Sequence, residues 1–476
     1  MDRPRGILFF VIIAGLAMLL AYGVSGRRAS EPVGDAGSAR SVAAPRAVLG
    51  AGGCATAGCH AAPIEGHLPW ESAYTVWATH DRHTRAYEVL REPLAQQIIT
   101  LLSARDPSHS LSPAHENKSC LGCHTTVQGA RASEGVSCES CHGPAGDWLV
   151  AHTLPGWQTR GNSLGMVDLA DPYICATQCG QCHIGAPPAA DGALYEVSHD
   201  MIAAGHPRLV FNLRSFKQGE PPHWRDRFAA GDGGLDVLDE VVLGRLGALD
   251  AYLAKIEFQA ARAMKTGAGD QAGVWPEFTA FDCYGCHRQA IAQIDHAQID
   301  HIPVDRSATA TRPLGRLRLE PMRWALTEEL LPEDAARTLA AFRTDVEATW
   351  WQPPRPEAIE ACRQAVKTAQ YLASDRLKTI PDNQLARLAL ESLNVANWDE
   401  VVIGAKALNA LTDRLATHED VTEIRQRLAA VRTMLEFPEG EVGGRKVRFD
   451  SPHDYDPAAV RLELEAIVRA IESRDR

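Results

Sequence analysis

The sequence predicts a mainly α protein with little regular sheet. A first domain has its core packed around bound groups, and a helical, bundle-like C-terminal domain follows. Three observations predict this. Five signatures of two cysteines followed directly by a histidine crowd residues 50–315. Apolar stripes at helical spacing run through the remainder of the chain. No stretch shows the strict alternation of a half-buried strand.

Four of the signatures are Cys120-Leu-Gly-Cys123-His124, Cys138-Glu-Ser-Cys141-His142, Cys179-Gly-Gln-Cys182-His183 and Cys283-Tyr-Gly-Cys286-His287. The fifth is a longer variant, Cys54-Ala-Thr-Ala-Gly-Cys59-His60. Each offers two thiols to the vinyl groups of a haem and an imidazole to its iron. Structural zinc usually wants two Cys-x-x-Cys pairs or a distant histidine pair, and a thiol redox motif has no need of the trailing histidine. Ten of the twelve cysteines fall into such pairs. The pattern therefore predicts five covalently attached haem c groups, with His60, His124, His142, His183 and His287 as proximal ligands. The small residues Ala55, Ala57 and Gly58 allow the first site its bulged loop; the alternative there is a disulfide between Cys54 and Cys59. Cys175 and Cys362 are left over. They are either a disulfide, which an oxidising compartment permits, or two buried thiols, and Cys175 is near enough to Cys179 to compete for a vinyl group.

Eleven further histidines lie in residues 50–315, namely His67, His80, His83, His109, His115, His152, His199, His206, His223, His296 and His301. That surplus predicts mostly bis-histidine irons, low-spin and closed to substrate. Among them His80, His83, His199 and His206 stand out locally as distal candidates, and His115 is a further one. His80 and His83 are three residues apart, which puts both on one face of a predicted helix. His199 and His206 are spaced to address two different haems. Fewer than about 60 residues serve each haem, too few for a separate protein core around each macrocycle.

The chain opens with Arg3 and Arg5, then runs apolar from Gly6 to Val24. That length suits an inner-membrane anchor with its N-terminus in the cytoplasm. Cleavage as a signal peptide near Ala21 and Gly23 is the other reading. Residues 1–26 are thus anchor or signal, and residues 27–49 a flexible linker rich in Ser, Gly and Ala. Residues 50–315 form the pentahaem domain and 316–476 the helical C-terminal domain, on the periplasmic side of a bacterial membrane. In the latter, Ile424, Leu428, Val431 and Leu435 form one stripe and Val460, Leu464, Ile467 and Ile471 another, with Leu408, Leu411 and Leu415 a shorter one. Core packing explains such stripes, with a docking groove the sharper alternative. A net charge of −12 argues against nucleic acid as a partner.

The run Gly135-Val-Ser-Cys138-Glu-Ser-Cys141-His142-Gly-Pro144 resembles the third haem site of the tetrahaem cytochrome c-554/c-prime family. The order around it is similar too: His83-Thr-Arg-Ala86-Tyr-Glu-Val-Leu90, then the motif ending at His124, then His152 soon after the third motif. The resemblance implies distal ligation by His83 and His152, and a five-coordinate iron at His124 unless His115 fills that place. The fifth haem, the insert in the first motif and Cys175 depart from the family. The segments Ser198–Leu209, Pro222-His223-Trp224, Trp275–Phe278 and Phe449–Pro452 are similar to a wider set of bacterial multihaem cytochromes. The expected function is electron relay between redox proteins or within a membrane electron-transfer complex. The alternative is an oxidoreductase acting on a small nitrogen or sulfur species at one open haem.

Overall fold

A computed structural model describes residues 46–105, 111–189, 192–223, 237–265, 275–280, 329–349, 351–391, 393, 398–436, 439–442, 445–448 and 456–474. The chain is mainly helical, as the periodicity predicts. Short helices come first: α1 (Ala73–His80), α2 (Pro93–Arg105), α3 (Lys118–His124), α4 (Cys138–His142), α5 (Trp157–Ser163), α6 (Pro172–His183), α7 (His199–Ala203) and α8 (Leu213–Gly219). Single 3-10 turns such as Arg82–Arg85 and Gly129–Glu134 link them. Longer helices follow: α9 (Val237–Ala263), α10 (Glu333–Ala348), α11 (Pro356–Leu377), α12 (Asp382–Glu391), α13 (Trp398–Leu415), α14 (Thr422–Met434) and α15 (Pro457–Glu472). Before α15, β1 (Glu439–Val442) and β2 (Arg445–Arg448) pair antiparallel, with Glu439 opposite Arg448.

Local chemistry sets several boundaries. Asp171 accepts hydrogen bonds from the backbone N–H groups of Tyr173 and Ile174 and is followed by Pro172, so α6 begins with a carboxylate cap and a proline in its first turn. Asp456 and Pro457 repeat this at α15. Asn117 caps α3 through the N–H of Ser119.

The core is organised around α9, which packs on α6, α8, α11 and α13. Its Leu238, Leu249, Leu253 and Ile256 are fully buried. Charged side chains on α9 are buried as well, and two of them show how. Asp250 accepts from the Tyr173 hydroxyl at 3.1 Å and from Arg363 of α11 at 2.8 Å. Glu240 meets Arg214 at 3.0 Å and Lys217 at 2.7 Å, both on α8. The three predicted stripes face inward: Ile424, Val431, Val460, Leu464, Ile467, Leu408 and Leu411 all lie in the same apolar core as α9 and Tyr173. They pack the interior and do not form a groove.

Residues 47–476 form one compact unit. The expected boundary at 315–316 lies outside the described residues, and the apolar core contains side chains from both sides of it. The expected membrane segment, residues 6–24, also lies outside the described residues; among those described, no helix is long and apolar enough to cross a membrane. Truncating Leu249 to alanine in the middle of this core is expected to cost about 2–5 kcal/mol, readable as a lowered urea midpoint with an unchanged slope.

Candidate haem centres

The regular motifs are helix ends. In α3, α4 and α6 the paired cysteines stand three residues apart on one turn, and the histidine is the last helical residue. A helical turn puts residues i and i+3 on one face, so both thiols reach the same side while the imidazole leaves from the helix end. Close packing limits what can occupy the positions between. A Cβ at Gly122 would collide with the carbonyl oxygen of Leu194, which only glycine avoids. The first motif is different. Cys54 follows a 3-10 turn, Ala51–Gly53, and a loop carries the chain to an exposed Cys59 and to His60. The fifth motif, Cys283, Cys286 and His287, lies outside the described residues.

The motif histidines do not stand alone. His60 faces His152 with ring centres 6.1 Å apart and planes at 24°. His183 faces His83 at 6.1 Å and 73°. His124 faces His206 at 6.5 Å and 88°. A metal–imidazole bond is about 2 Å long, so two imidazoles on opposite sides of one ion have ring centres roughly 6 Å apart. All three pairs meet that spacing.

Hydrogen bonds at the other ring nitrogen support it. The Nδ1 positions of His60, His124 and His206 lie 2.6, 2.7 and 2.8 Å from the carbonyl oxygens of Trp70, Ala86 and Pro207. That of His152 meets the carbonyl of Leu149, and that of His83 meets the Asp81 carboxylate at 2.9 Å. Binding Nδ1–H in this way fixes the tautomer and leaves Nε2 to a metal. The hydrogen bond that His83 donates to Asp81 raises the His83 pKa against the opposing effect of burial. Burial, with His83 adjacent, pushes His183 down to about 4. Burial also lowers His124. Neutral imidazoles are the form a metal requires.

His142 is pushed down to about 4 by burial, with smaller contributions from His223, His60 and His152. Its Nδ1 is buried without a hydrogen-bond partner among the described residues. His199 sits beside the segment leading to the fifth motif: its backbone N–H donates to Glu277 at 2.9 Å, and its ring meets Phe278 edge-on at 5.8 Å. His80 is exposed at the end of α1, and His115 points to Glu116 at 3.7 Å. Neither is placed ring to ring with a motif histidine among the described residues. No disulfide joins Cys54 to Cys59 or Cys175 to Cys362, and the last two are buried thiols.

Motifs distant in sequence are neighbours in space. The Cys54 thiol lies beside that of Cys138, and the Cys123 thiol beside that of Cys182. Gln178 of α6 donates to the carbonyl of Ser140 in α4 at 2.5 Å. One positioning residue had no predicted role. Glu139, buried inside the third motif, accepts from the N–H groups of Leu49 at 3.0 Å, Gly50 at 2.6 Å and Ala145 at 2.7 Å. It ties the start of the first haem site to the third motif. Glu139→Gln puts an amide donor against these donors and is expected to cost about 1.5–3 kcal/mol for each charge-assisted bond lost, measured by urea unfolding.

Residues 54–143 match the family described as cytochrome c554 and c-prime. Cytochrome c-554 of Nitrosomonas europaea is 26% identical over 141 residues, an alignment covering 26% of this chain and 58% of that protein. No solved structure matches. With its motifs on helix ends and its imidazoles paired at metal-spanning distance, the chain resembles the cytochrome c-554 family, and the resemblance implies covalently bound haem c.

Proposed function

We propose that this protein is an exported pentahaem c-type cytochrome that relays electrons between redox partners, with every iron held by two histidines. One observation carries the reading: three motif histidines each face a second imidazole at 6.1–6.5 Å, with Nδ1 of five of these six rings tied to backbone or carboxylate. Bound haem c supplies a one-electron couple at each site. The protein's own part would be to offer two imidazoles at each site, so that neither water nor substrate is admitted and little would rearrange when charge arrives.

His60 pairs with His152, His124 with His206 and His183 with His83. His223 completes the set for His142, and His199, beside Glu277 and Phe278, is the remaining distal candidate. His206 closes the second site, which disfavours the alternative of an oxidoreductase open at His124. The nearness of Cys54 to Cys138 and of Cys123 to Cys182, with the Gln178–Ser140 bond, supports the order first, third, fourth, second for the sites. Residues 6–24 hold the chain to the inner membrane, and the linker tethers the haem domain on the periplasmic side up to residue 46; its expected end, residues 47–49, is instead packed on the haem domain, with Leu49 N–H held by Glu139. A membrane complex or a periplasmic redox protein is the partner, docking on a surface of net negative charge.

A reductive titration of the purified protein tests this. All five haems should reduce and reoxidise reversibly, and neither cyanide nor nitric oxide should alter the spectrum. Stoichiometric binding of either ligand to the native protein would contradict the relay.

A further inference from the structure

The Nδ1 atoms of His60, His124, His152 and His206 meet backbone carbonyls, those of Trp70, Ala86, Leu149 and Pro207. His83 differs from these four. Its Nδ1 stands 2.9 Å from Oδ1 of the Asp81 carboxylate, and the same oxygen accepts the backbone N–H of His83 at 2.8 Å. Asp81 is itself held in place. It directly follows α1, and its N–H donates to the Trp77 carbonyl at 3.2 Å. Its own carbonyl accepts from the Thr84 hydroxyl at 2.8 Å, and it caps the 3-10 turn Arg82–Arg85 that carries His83. The Asp81 side chain is only 8% exposed, and among the described residues no lysine or arginine pairs with it. A charge so placed acts strongly on its hydrogen-bond partner, because little water screens it. His83 in turn faces His183 at 6.1 Å, so the carboxylate reaches the fourth site through a single ring.

A carboxylate that accepts Nδ1–H draws the proton toward itself and makes the ring a stronger donor at Nε2. A backbone carbonyl does so less, since a charged acceptor makes the stronger hydrogen bond. A stronger axial donor favours ferric over ferrous iron, and hydrogen bonding behind the ligand is one of the levers a protein has on a haem potential. We propose that Asp81 is a positioning residue for the fourth haem site, and that its carboxylate, acting through the His83 ring, sets the reduction potential there lower than a neutral acceptor would. The inference rests on the haem reading above. In the order supported there, the fourth site stands between the third and the second, so Asp81 sets the energy step that an electron meets between them.

Asp81→Asn is the informative variant, because an amide oxygen in the same place still accepts both N–H groups of His83 and still caps the turn. What it removes is the charge. The holoprotein and the variant are titrated reductively, with each haem followed by its ferric electron paramagnetic resonance signal. The variant should keep all its haems low-spin, and reduction of one of them should become about tenfold more favourable, a 59 mV rise for a one-electron couple. His83→Ala identifies that haem and tests the underlying reading separately. It should turn one haem high-spin, and the low-spin signal it removes should be the one whose potential Asp81→Asn raised. If His83→Ala leaves every haem low-spin, the ligand assignment fails and Asp81 has no ligand to act through. If it gives the high-spin haem but Asp81→Asn leaves every potential unchanged, the role of Asp81 is overturned while the haem reading stands. A rise shared equally by two or more haems would make Asp81 a diffuse charge and overturn its action through His83. A high-spin haem in Asp81→Asn itself would reduce Asp81 to a structural support and overturn the proposal likewise.

Discussion

Replacing His206 by alanine is expected to turn one haem of the five from low-spin to high-spin and to give the protein one stoichiometric site for cyanide. The native protein should have none. The His206 ring stands 6.5 Å from that of His124, and its Nδ1 is bound to the Pro207 carbonyl, so Nε2 is left for the second site. His206→Met should restore a low-spin iron with a raised potential, because thioether ligation favours the reduced state. Imidazole in solution should restore the native spectrum of the alanine variant. A purely structural role for His206 would show none of this pattern. Were the second site open in the native protein, the alanine variant would gain no ligand affinity. The readouts are visible spectra and electron paramagnetic resonance of the oxidised protein.

The second large effect concerns Gly135, at the turn before the third motif. Its φ of 64° and ψ of −147° lie in a region essentially reserved for glycine. A Cβ there would stand 2.5 Å from the Thr84 carbonyl oxygen and 2.7 Å from that of His83. Both are backbone atoms, so neither side has a flexible end to yield. Backbone strain of about 1–3 kcal/mol and overpacking of similar size together predict a loss of about 2–6 kcal/mol for Gly135→Ala. The damage should reach the fourth haem site, because Val136 N–H donates to the His83 carbonyl at 3.0 Å and Trp77 donates to that of Val136 at 3.0 Å. Gly129 is the control. Its φ is 79°, with nothing within 4 Å of an added Cβ, so Gly129→Ala should show only the smaller conformational cost. Thermal unfolding of the two variants side by side makes the comparison.

The parts of this molecule governed by local pattern are legible in its sequence. The motif spacing of three and four residues is the spacing of one helical turn, and α3, α4 and α6 have that form. The stripes from Ile424 and from Val460 follow the helical period, and burial of one face is what that period accomplishes. The family resemblance is likewise carried by short contiguous runs around Cys138 and His83.

What could not be read depends on contacts between distant segments. The histidine surplus announces distal ligands, but nothing in the run around His124 says that His206 faces it. Proximity in sequence makes His115 the natural candidate, yet its ring turns to Glu116. His80 lies on α1 beside His83, but only His83 leaves the helix into a 3-10 turn where Asp81 can orient its ring. The helix α9 escapes pattern reading for a different reason. Asp239, Glu240, Arg245, Asp250 and Lys255 look like a solvated face, whereas all five are buried. Partners for Glu240 and Asp250 arrive from α6, α8 and α11, and paired charges can be buried where isolated ones cannot. Glu139 is hidden in the same way: a carboxylate within a haem motif gives no hint that three backbone N–H groups converge on it.

The relay proposed for this protein requires histidine on both faces of every iron. Low-temperature electron paramagnetic resonance of the fully oxidised protein, with spin counted against haem content from the pyridine haemochromogen, decides whether that holds. Five haems per chain are expected, all contributing low-spin ferric signals, with no high-spin signal. A high-spin signal amounting to one iron per chain in the native protein would mean that one face is open, and the relay through five closed irons would be wrong.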